Sequence, residues 1–397
     1  MKLLMITSRN IDKKGGENAL IVGRHQALYS LWKVETDVLF WHKDGDLTDA
    51  LAEGMKFLPS QKKDVLETIK KLLSTKDYQG VVISGFYNQK LNELLQELKK
   101  TVPFMIGVDI HATIREIYEY CIPDLYHILG TRYLYLKKKQ IYKKTLQIAD
   151  YAFVVSDESV EETNSFCKKN HIQYMKIRCG CQKPLNAEQY LQDREAMRRE
   201  LGVDENTLTF VYSGSKSGWQ KYAKTVKLFE KIAANNEKCK FAFYMNLDDA
   251  DKAELARRLG ADRVVIRWVK PEQMLHDLAG YDVGILLRDK NWTNKVAFPN
   301  KFSDYIHSGL ALVMTDAISE PYRIAKEHGL DILTERDLAQ PALLDQFRAK
   351  RLASLSDYVA KCGQVVDTEL LYRNQVAAQC NAFVEQLRNI EGAKNND

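Results

Sequence analysis

The chain has 397 residues, of which 45% are apolar and 28% charged, and its formal net charge is +5. These values are typical of a folded two-domain protein and exclude collagenous and disordered chains. No apolar run approaches the roughly 20 residues that span a bilayer, and the N-terminal residues lack the apolar core of an export signal. We therefore expect a cytoplasmic protein whose seven cysteines are reduced thiols.

Strands and helices alternate through the first half of the sequence. A loop with Gly15 and Gly16 follows the first strand. Predicted strands span 2–6, 34–40, 80–84, 103–110 and 149–156, and predicted helices span 17–31, 63–73, 88–100 and 157–170. This alternation predicts a parallel, doubly wound α/β sheet.

The second half repeats the pattern, with predicted strands at 208–212, 241–245, 264–268, 283–287 and 311–315 and helices at 222–235 and 250–259. We therefore predict two Rossmann-like domains, residues 1–190 and 200–368. The polar, charged stretch 184–203 is interpreted as the linker region. A helix in the C-terminal segment, about 369–397, is expected to cross back onto the first domain.

The segment 296–309, VAFPNKFSDYIHSG, carries the most specific functional signal. It follows a predicted buried strand and leads through Pro299 into a helix with Lys301 near its start and Asp304 one turn later. Free N–H groups at a helix N-terminus attract anions, and a lysine there adds a positive charge for phosphate. A carboxylate one turn on can accept hydrogen bonds from sugar hydroxyls. The segment therefore predicts a nucleotide-sugar site.

Four stretches follow one another along the chain, namely Lys14-Gly15-Gly16, the segment 108–111 (VDIH), the segment 211–220 (VYSGSKSGWQ) and the segment 299–309. In this order they resemble motifs of GT-B glycosyltransferases of the retaining family 4 type, which includes many capsule and cell-surface polysaccharide enzymes. The resemblance spans nearly the whole chain. It implies a GT-B fold, in which two Rossmann-like doubly wound domains face a central cleft, and a nucleotide sugar as donor.

The resemblance also implies the roles of individual residues. His111 is the catalytic candidate, on the sugar or acceptor side of the cleft. The candidates for donor binding are Gly15, Gly16, Gly214, Ser215, Lys216, Lys221, Arg288, Asn294, Pro299, Lys301 and Asp304.

Several positions depart from the family pattern. Asp304 takes the second place of the acidic pair spaced by seven residues, but the first place holds Val296. Ser215 stands at the usual arginine position and Gln220 at the usual lysine position. The candidates to replace those two cations are Lys216, Lys221 and Arg288. We therefore expect a variant donor site.

The charge of the departing nucleoside diphosphate can be stabilised by preorganised N–H groups and lysines. No D-x-D-like motif follows a predicted strand, because Asp248 and Asp249 are typical of a helix N-terminus, where they act as caps. The pair Cys179 and Cys181 has only His171 as a further ligand nearby in sequence. We therefore expect no metal and no cofactor.

The segment 132–144 (RYLYLKKKQIYKK) has six basic residues among tyrosines and leucines and no acidic residue. Two interpretations stay open, a solvated helix face and a helix that lies on an anionic membrane. Nucleic acid is not an expected partner, because the sequence contains no recognised binding module.

These observations lead to the hypothesis of a retaining, metal-independent hexosyltransferase. It would use a nucleoside-diphosphate sugar and a glycan or lipid-linked glycan acceptor, in the cytoplasm or peripherally on the inner face of the membrane. Two alternatives remain, a nucleotide-sugar epimerase of the same fold and a non-catalytic GT-B partner subunit. Val296 and the missing arginine suggest the second alternative.

Overall fold

A computed structural model describes residues 1–8, 16–41, 50–120, 128–167 and 171–394. The chain divides into two compact units. The first unit comprises Met1–Gln182, Val296–Phe298 and Tyr372–Asp397, and the second comprises Lys183–Lys295 and Pro299–Leu371. Each unit contains one β-sheet with helices packed against it.

The sheet of the first unit contains β1 (Lys2–Thr7), β2 (Glu35–Trp41), β3 (Ala50–Ala52), β4 (Met55–Ser60), β5 (Gly80–Ser84), β6 (Met105–Ile110), β7 (Tyr151–Val154) and β8 (Gln173–Lys176). Its order is β3-β4-β2-β1-β5-β6-β7-β8, and only β3 pairs antiparallel. The accompanying helices are α1 (Gly16–Trp32), α2 (Val65–Ser74), α3 (Gln89–Leu98), α4 (Glu116–Glu119), α5 (Ile128–Ile148) and α6 (Asp157–Phe166). Every residue of β5, β6 and β7 is buried, as expected when helices cover both faces of a parallel sheet.

The second unit has a six-stranded parallel sheet in the order β11-β10-β9-β12-β13-β14. Its strands are β9 (Leu208–Ser213), β10 (Cys239–Tyr244), β11 (Val264–Arg267), β12 (Val283–Leu286), β13 (Ala311–Met314) and β14 (Ile332–Leu333). Its helices are α7 (Ala187–Leu201), α8 (Tyr222–Asn235), α9 (Asp249–Leu259), α10 (Met274–Leu278), α11 (Trp292–Val296), α12 (Asn300–His307), α13 (Ser319–Glu327), α14 (Glu335–Leu338), α15 (Pro341–Ala353) and α16 (Leu355–Val365). Short 3-10 turns at Gly218–Gln220 and Pro271–Gln273 and a π-helical turn at Val366–Leu370 complete it.

The C-terminal helices α17 (Tyr372–Gln379) and α18 (Asn381–Lys394) belong to the first unit. Helix α17 packs closely on α1, because a Cβ on Gly23 would lie only 2.2 Å from Cε2 of Tyr372. In α18, the ring of Phe383 lies 4.6 Å from that of Tyr151, centroid to centroid. The last part of the sequence therefore covers the core of the first sheet.

The prediction of a linker at 184–203 is wrong, because this stretch forms α7. Arg194 of α7 is buried, and its Nη2 donates to Oδ1 of Asp282 at 2.5 Å. Its Nη1 donates to the carbonyl oxygens of Ala279 and Tyr281. The charged residues of this stretch suggested a solvated segment. One of them, Arg194, instead forms an internal ion pair with Asp282 that holds α7 against the sheet of the second unit.

Candidate functional site

In the second unit, strand order reverses between β9 and β12. The connection from β9 leads to β10 on one side, whereas β12 lies on the other side. Ligands in open α/β sheets bind at the carboxyl ends of strands at such a switch point. Gly214 follows β9 directly, and α12 comes after the loop that leaves β12. The predicted donor residues therefore lie where the fold favours a ligand.

Lys301, near the start of α12, contacts the segment that follows β9. Its Nζ donates to Oε1 of Gln220 at 2.5 Å and lies 5.0 Å from the ring centroid of Tyr212. The backbone N–H of Ser215 donates to the same glutamine oxygen at 3.0 Å. A Cβ on Gly214 would lie 2.3 Å from the lysine Nζ. Only glycine leaves room for this arrangement, which forms a compact polar site at the end of β9.

The pKa values of Lys301 and Asp304, the two charged residues of α12, are both shifted from their usual ranges. Burial lowers the pKa of Lys301 well below its usual range, Arg288 lowers it further, and Asp304 opposes the shift. Burial raises the pKa of Asp304 to about 7, although Lys301 opposes that shift. Burial is thus the main cause that disfavours the charged form of each group, and a ligand with an anion and hydroxyl groups would stabilise both charged forms.

Pro299 precedes the first residue of α12 and has no side-chain acceptor to cap the first N–H groups. Arg288 follows the end of β12, and its Nη1 donates to the carbonyl oxygen of Leu287 at 3.1 Å. Asn294 is buried, and its Nδ2 donates to the carbonyl oxygen of Asp289 at 2.9 Å. The contact of Asn294 thus supports the loop between β12 and α12.

The two lysines proposed as replacements for the missing cations are paired with carboxylates in this structure. Lys216 is exposed and pairs with Asp251, and Lys221 pairs with Asp289. Lys221 also has a left-handed φ of 55° at the start of α8. Of the three lysines in this region, Lys301 alone has its ammonium directed at neutral groups.

A cleft of about 510 Å³ opens beside this site. Among the residues that line it are Ser213, Gly214, Ser215, Lys216 and Trp268. The side chain of Trp268 is 59% exposed, although tryptophan is a large apolar residue. An exposed aromatic ring next to a polar cleft can stack on a planar ligand. The sequence analysis did not identify Trp268, because exposure after a strand cannot be recognised from residue type.

In the first unit, His111 follows β6 above a buried carboxylate. Its Nδ1 lies 3.8 Å from Oδ2 of Asp109. Asp109 accepts hydrogen bonds from Nη1 of Arg24 at 2.9 Å and from Oγ of Ser84 at 3.2 Å. Burial raises the pKa of Asp109, but the positive charge of Arg24 and the contact with His111 outweigh it and hold the pKa below its usual range. His111 therefore lies on an ionised carboxylate.

His111 also lines a pocket of about 430 Å³ in the first unit, together with Tyr87, Glu116 and Lys138. Of the two predicted glycines of this unit, Gly16 is the first residue of α1, and Gly15 lies outside the described residues. The pocket adds Tyr87 and Lys138, which the sequence analysis did not single out as site residues.

Val296 occupies the first place of the incomplete acidic pair. Its side chain is buried, and its carbonyl oxygen accepts hydrogen bonds from the hydroxyls of Ser156 and Ser159 at 2.8 and 3.2 Å. This residue therefore has a packing role. Asp304 is the acidic member of the pair that the chain retains.

No family model matches the sequence, and no curated protein does. Solved structures match over nearly the full length. A glycosyltransferase from Rickettsia africae ESF-5 aligns with 98% of this chain and 99% of its own, with a TM-score of 0.68 and 11% identity. Anabaena HepE, in complex with UDP and glucose, aligns with 96% of this chain and 100% of its own, with a TM-score of 0.63 and 12% identity.

WaaG, a glycosyltransferase involved in lipopolysaccharide biosynthesis, aligns with 95% of this chain and 98% of its own, with a TM-score of 0.61 and 12% identity. Together with the two α/β units, these matches decide the architecture. The chain has the GT-B fold. The predicted fold class is therefore confirmed, and identities this low show the fold alone.

Proposed function

We propose that this chain is a glycosyltransferase that takes its sugar from a nucleoside-diphosphate sugar. One observation carries the proposal. The ammonium of Lys301 lies at the strand switch point, beside Gly214, where it contacts a glutamine oxygen and an aromatic ring. A cation at a partly buried position is stabilised when an anion pairs with it. A diphosphate supplies that anion.

The other groups of the second unit fit the rest of such a donor. The free N–H groups of α12 add to the phosphate site. Asp304 accepts hydrogen bonds from ribose hydroxyls, and Trp268 offers a ring on which the base can stack. Anabaena HepE is described in complex with UDP-glucose, which makes this nucleotide sugar the first donor to test.

The chemistry proposed for Lys301 follows from charge. As the sugar–phosphate bond breaks, negative charge grows on the leaving diphosphate. The ammonium of Lys301 and the N–H groups of α12 stabilise that charge more strongly in the transition state than in the ground state. We propose that these groups suffice without a divalent metal. The test is activity after removal of metal.

On the acceptor side, we propose His111 as the residue that contacts the sugar or the acceptor hydroxyl. The ionised Asp109 next to it would hold the imidazole in one orientation and favour the proton on Nδ1, which faces the carboxylate, so that Nε2 is left to accept a hydrogen bond from a hydroxyl. The resemblance of four motifs supports a retaining reaction, in which the leaving phosphate helps to deprotonate the incoming hydroxyl. The proposed acceptor is a glycan or a lipid-linked glycan.

The experiment that tests the proposal is incubation with UDP-glucose alone, combined with calorimetric titration of UDP. Binding of UDP and slow release of glucose support a transferase. Formation of an epimer supports the epimerase alternative. Binding without any turnover supports the partner subunit. Failure to bind UDP, UDP-glucose and the other common nucleotide sugars contradicts the proposal.

A further inference from the structure

Helix α5 exposes apolar side chains on the surface of the first unit. Leu129 is 79% exposed, Tyr133 68% and Leu136 51%. Their spacing of four and three residues places them on one face of the helix. Tyr142 and Leu146 of the same helix are buried, and they project from the opposite side. The apolar face therefore points away from the core that holds the helix in place.

Basic residues border this apolar face on both sides. At 3.6 residues per turn, Arg132 and Lys143 project from one border and Lys137 and Lys144 from the other. The helix contains no aspartate or glutamate. Within the described part of the chain, no helix is both long enough and apolar enough to cross a membrane. An apolar face with two basic borders fits a helix that lies at a membrane surface.

We propose that this face of α5 docks the first unit on an anionic bilayer. Leu129, Tyr133 and Leu136 would enter the boundary between headgroups and acyl chains, and the basic borders would reach the anionic headgroups. A nucleic acid would pair with the basic residues but would leave the apolar face exposed. An anionic bilayer satisfies both features.

The same helix connects this surface to the pocket of His111. Lys138 of α5 lines that pocket and projects from the side of the helix that faces away from the apolar residues. A helix with its side chains is about 10 Å thick, so docking holds the pocket roughly that far above the headgroups. Sugars attached to a lipid reach this height, whereas the lipid itself does not. The acceptor class that fits is a membrane-anchored glycan, and this part rests on the proposed transferase function.

Co-sedimentation with vesicles tests the docking. Wild type should bind equimolar phosphatidylglycerol and phosphatidylcholine at low salt and bind pure phosphatidylcholine much more weakly, and added salt should weaken its binding through screening. Removing two border charges in Lys137→Gln with Lys144→Gln should lower the partition coefficient roughly thirtyfold. Replacing two apolar residues in Leu129→Ser with Leu136→Ser should lower it at least tenfold.

The matched control removes two exposed charges elsewhere, in Lys62→Gln with Lys63→Gln, and should bind like wild type. Equal binding of wild type and both α5 variants overturns the inference, as does an equal loss in the control. Calorimetric binding of UDP should be unchanged in every variant, because the proposed site lies in the second unit. Loss of vesicle binding with intact UDP binding thus separates this inference from the proposed function.

Orientation is tested with an environment-sensitive fluorophore on single cysteines in a Cys121→Ser background, where the other cysteines are buried. A probe at Tyr133→Cys or Leu136→Cys should shift to the blue on phosphatidylglycerol vesicles. A probe at Lys138→Cys should keep its emission, because that position faces away from the bilayer. A blue shift of similar size at all three positions, or at none of them, overturns the proposed orientation.

Discussion

Oε1 of Gln220 lies 2.5 Å from Nζ of Lys301 and accepts its hydrogen bond. In the transferases that the sequence resembles, a second lysine stands at the position of Gln220. Two ammonium groups at this distance would repel each other, whereas the glutamine orients Lys301 without adding charge. Lys301 thus lies beside a neutral amide at a position where the resembling enzymes have a further cation.

Replacing Lys301 by alanine should weaken the binding of UDP roughly ten- to a hundredfold. A charge-assisted hydrogen bond to phosphate contributes about 1.5–3 kcal/mol, and no other lysine of the site has an uncompensated charge. Calorimetric titration measures the effect. Lys224→Ala is the matched control, because this lysine pairs with Glu335 on the surface of the same unit. Unchanged affinity in Lys301→Ala would show that Lys301 does not bind phosphate.

Gly214→Ala should reduce UDP affinity about tenfold or more without unfolding the protein. The added Cβ would lie 2.1 Å from Oε1 of Gln220 and 2.3 Å from Nζ of Lys301, so the two flexible ends must move apart. Gly218→Ala is the control in the same loop, because its added Cβ would meet no atom within 4 Å. The two variants should differ in affinity but have similar melting temperatures. Equal affinities would contradict the geometry of the site.

Asp304→Asn should stabilise the protein at alkaline pH while weakening nucleotide binding. Burial raises the pKa of Asp304 to about 7, so the folded protein holds this proton more tightly than the unfolded chain does. The free energy of unfolding of wild type therefore falls as pH rises from about 4 to about 7, and the variant lacks this loss.

Thermal unfolding at two pH values checks this prediction. At pH 8 the variant should be more stable by an amount on the order of 1 kcal/mol, and near pH 4 the two proteins should be alike. Wild-type affinity for UDP should increase as pH rises through about 7, because ribose hydroxyls bind to the ionised carboxylate. A variant that is no more stable at pH 8 would rule out the raised pKa.

Removal of divalent metal by EDTA should leave UDP-glucose turnover within about twofold of its initial rate. Lysine and helix N–H groups supply the charge stabilisation in the proposed mechanism. Activity before and after dialysis, with magnesium added back, is the measurement. Complete loss that magnesium or manganese restores would overturn metal independence without affecting the assignment of the donor site.

Elements with regular apolar periodicity were predictable from sequence. The helix predicted at 222–235 has the bounds of α8, whose buried residues Val226, Phe229 and Ile232 recur at helical spacing. Strand β4 was not predicted, because Pro59 lies within it and proline cannot donate a hydrogen bond to a neighbouring strand. Strand β4 pairs with β2 along its length. A pairing between two strands leaves no local pattern in the sequence.

The site was partly predictable for a related reason. Lys301 lies on the first turn of a helix that comes after a buried strand, Asp304 lies one turn later, and this local pattern predicts a phosphate and sugar site. Gln220 is 81 residues from Lys301 in sequence, so their contact depends on how the second sheet is assembled. Residue type at one position could not reveal a contact of this kind.

The close packing of Tyr372 against Gly23 has a consequence for the synthesis of the chain. The first unit needs α17 and α18, which are translated after the entire second unit. The second unit is nearly continuous in sequence and can fold while the ribosome is still at work, whereas the sheet of β1 to β8 lacks α17 and α18 until synthesis ends. The part of the protein made first is therefore completed last, and a nascent chain stopped at residue 371 would present the uncovered apolar surface to chaperones.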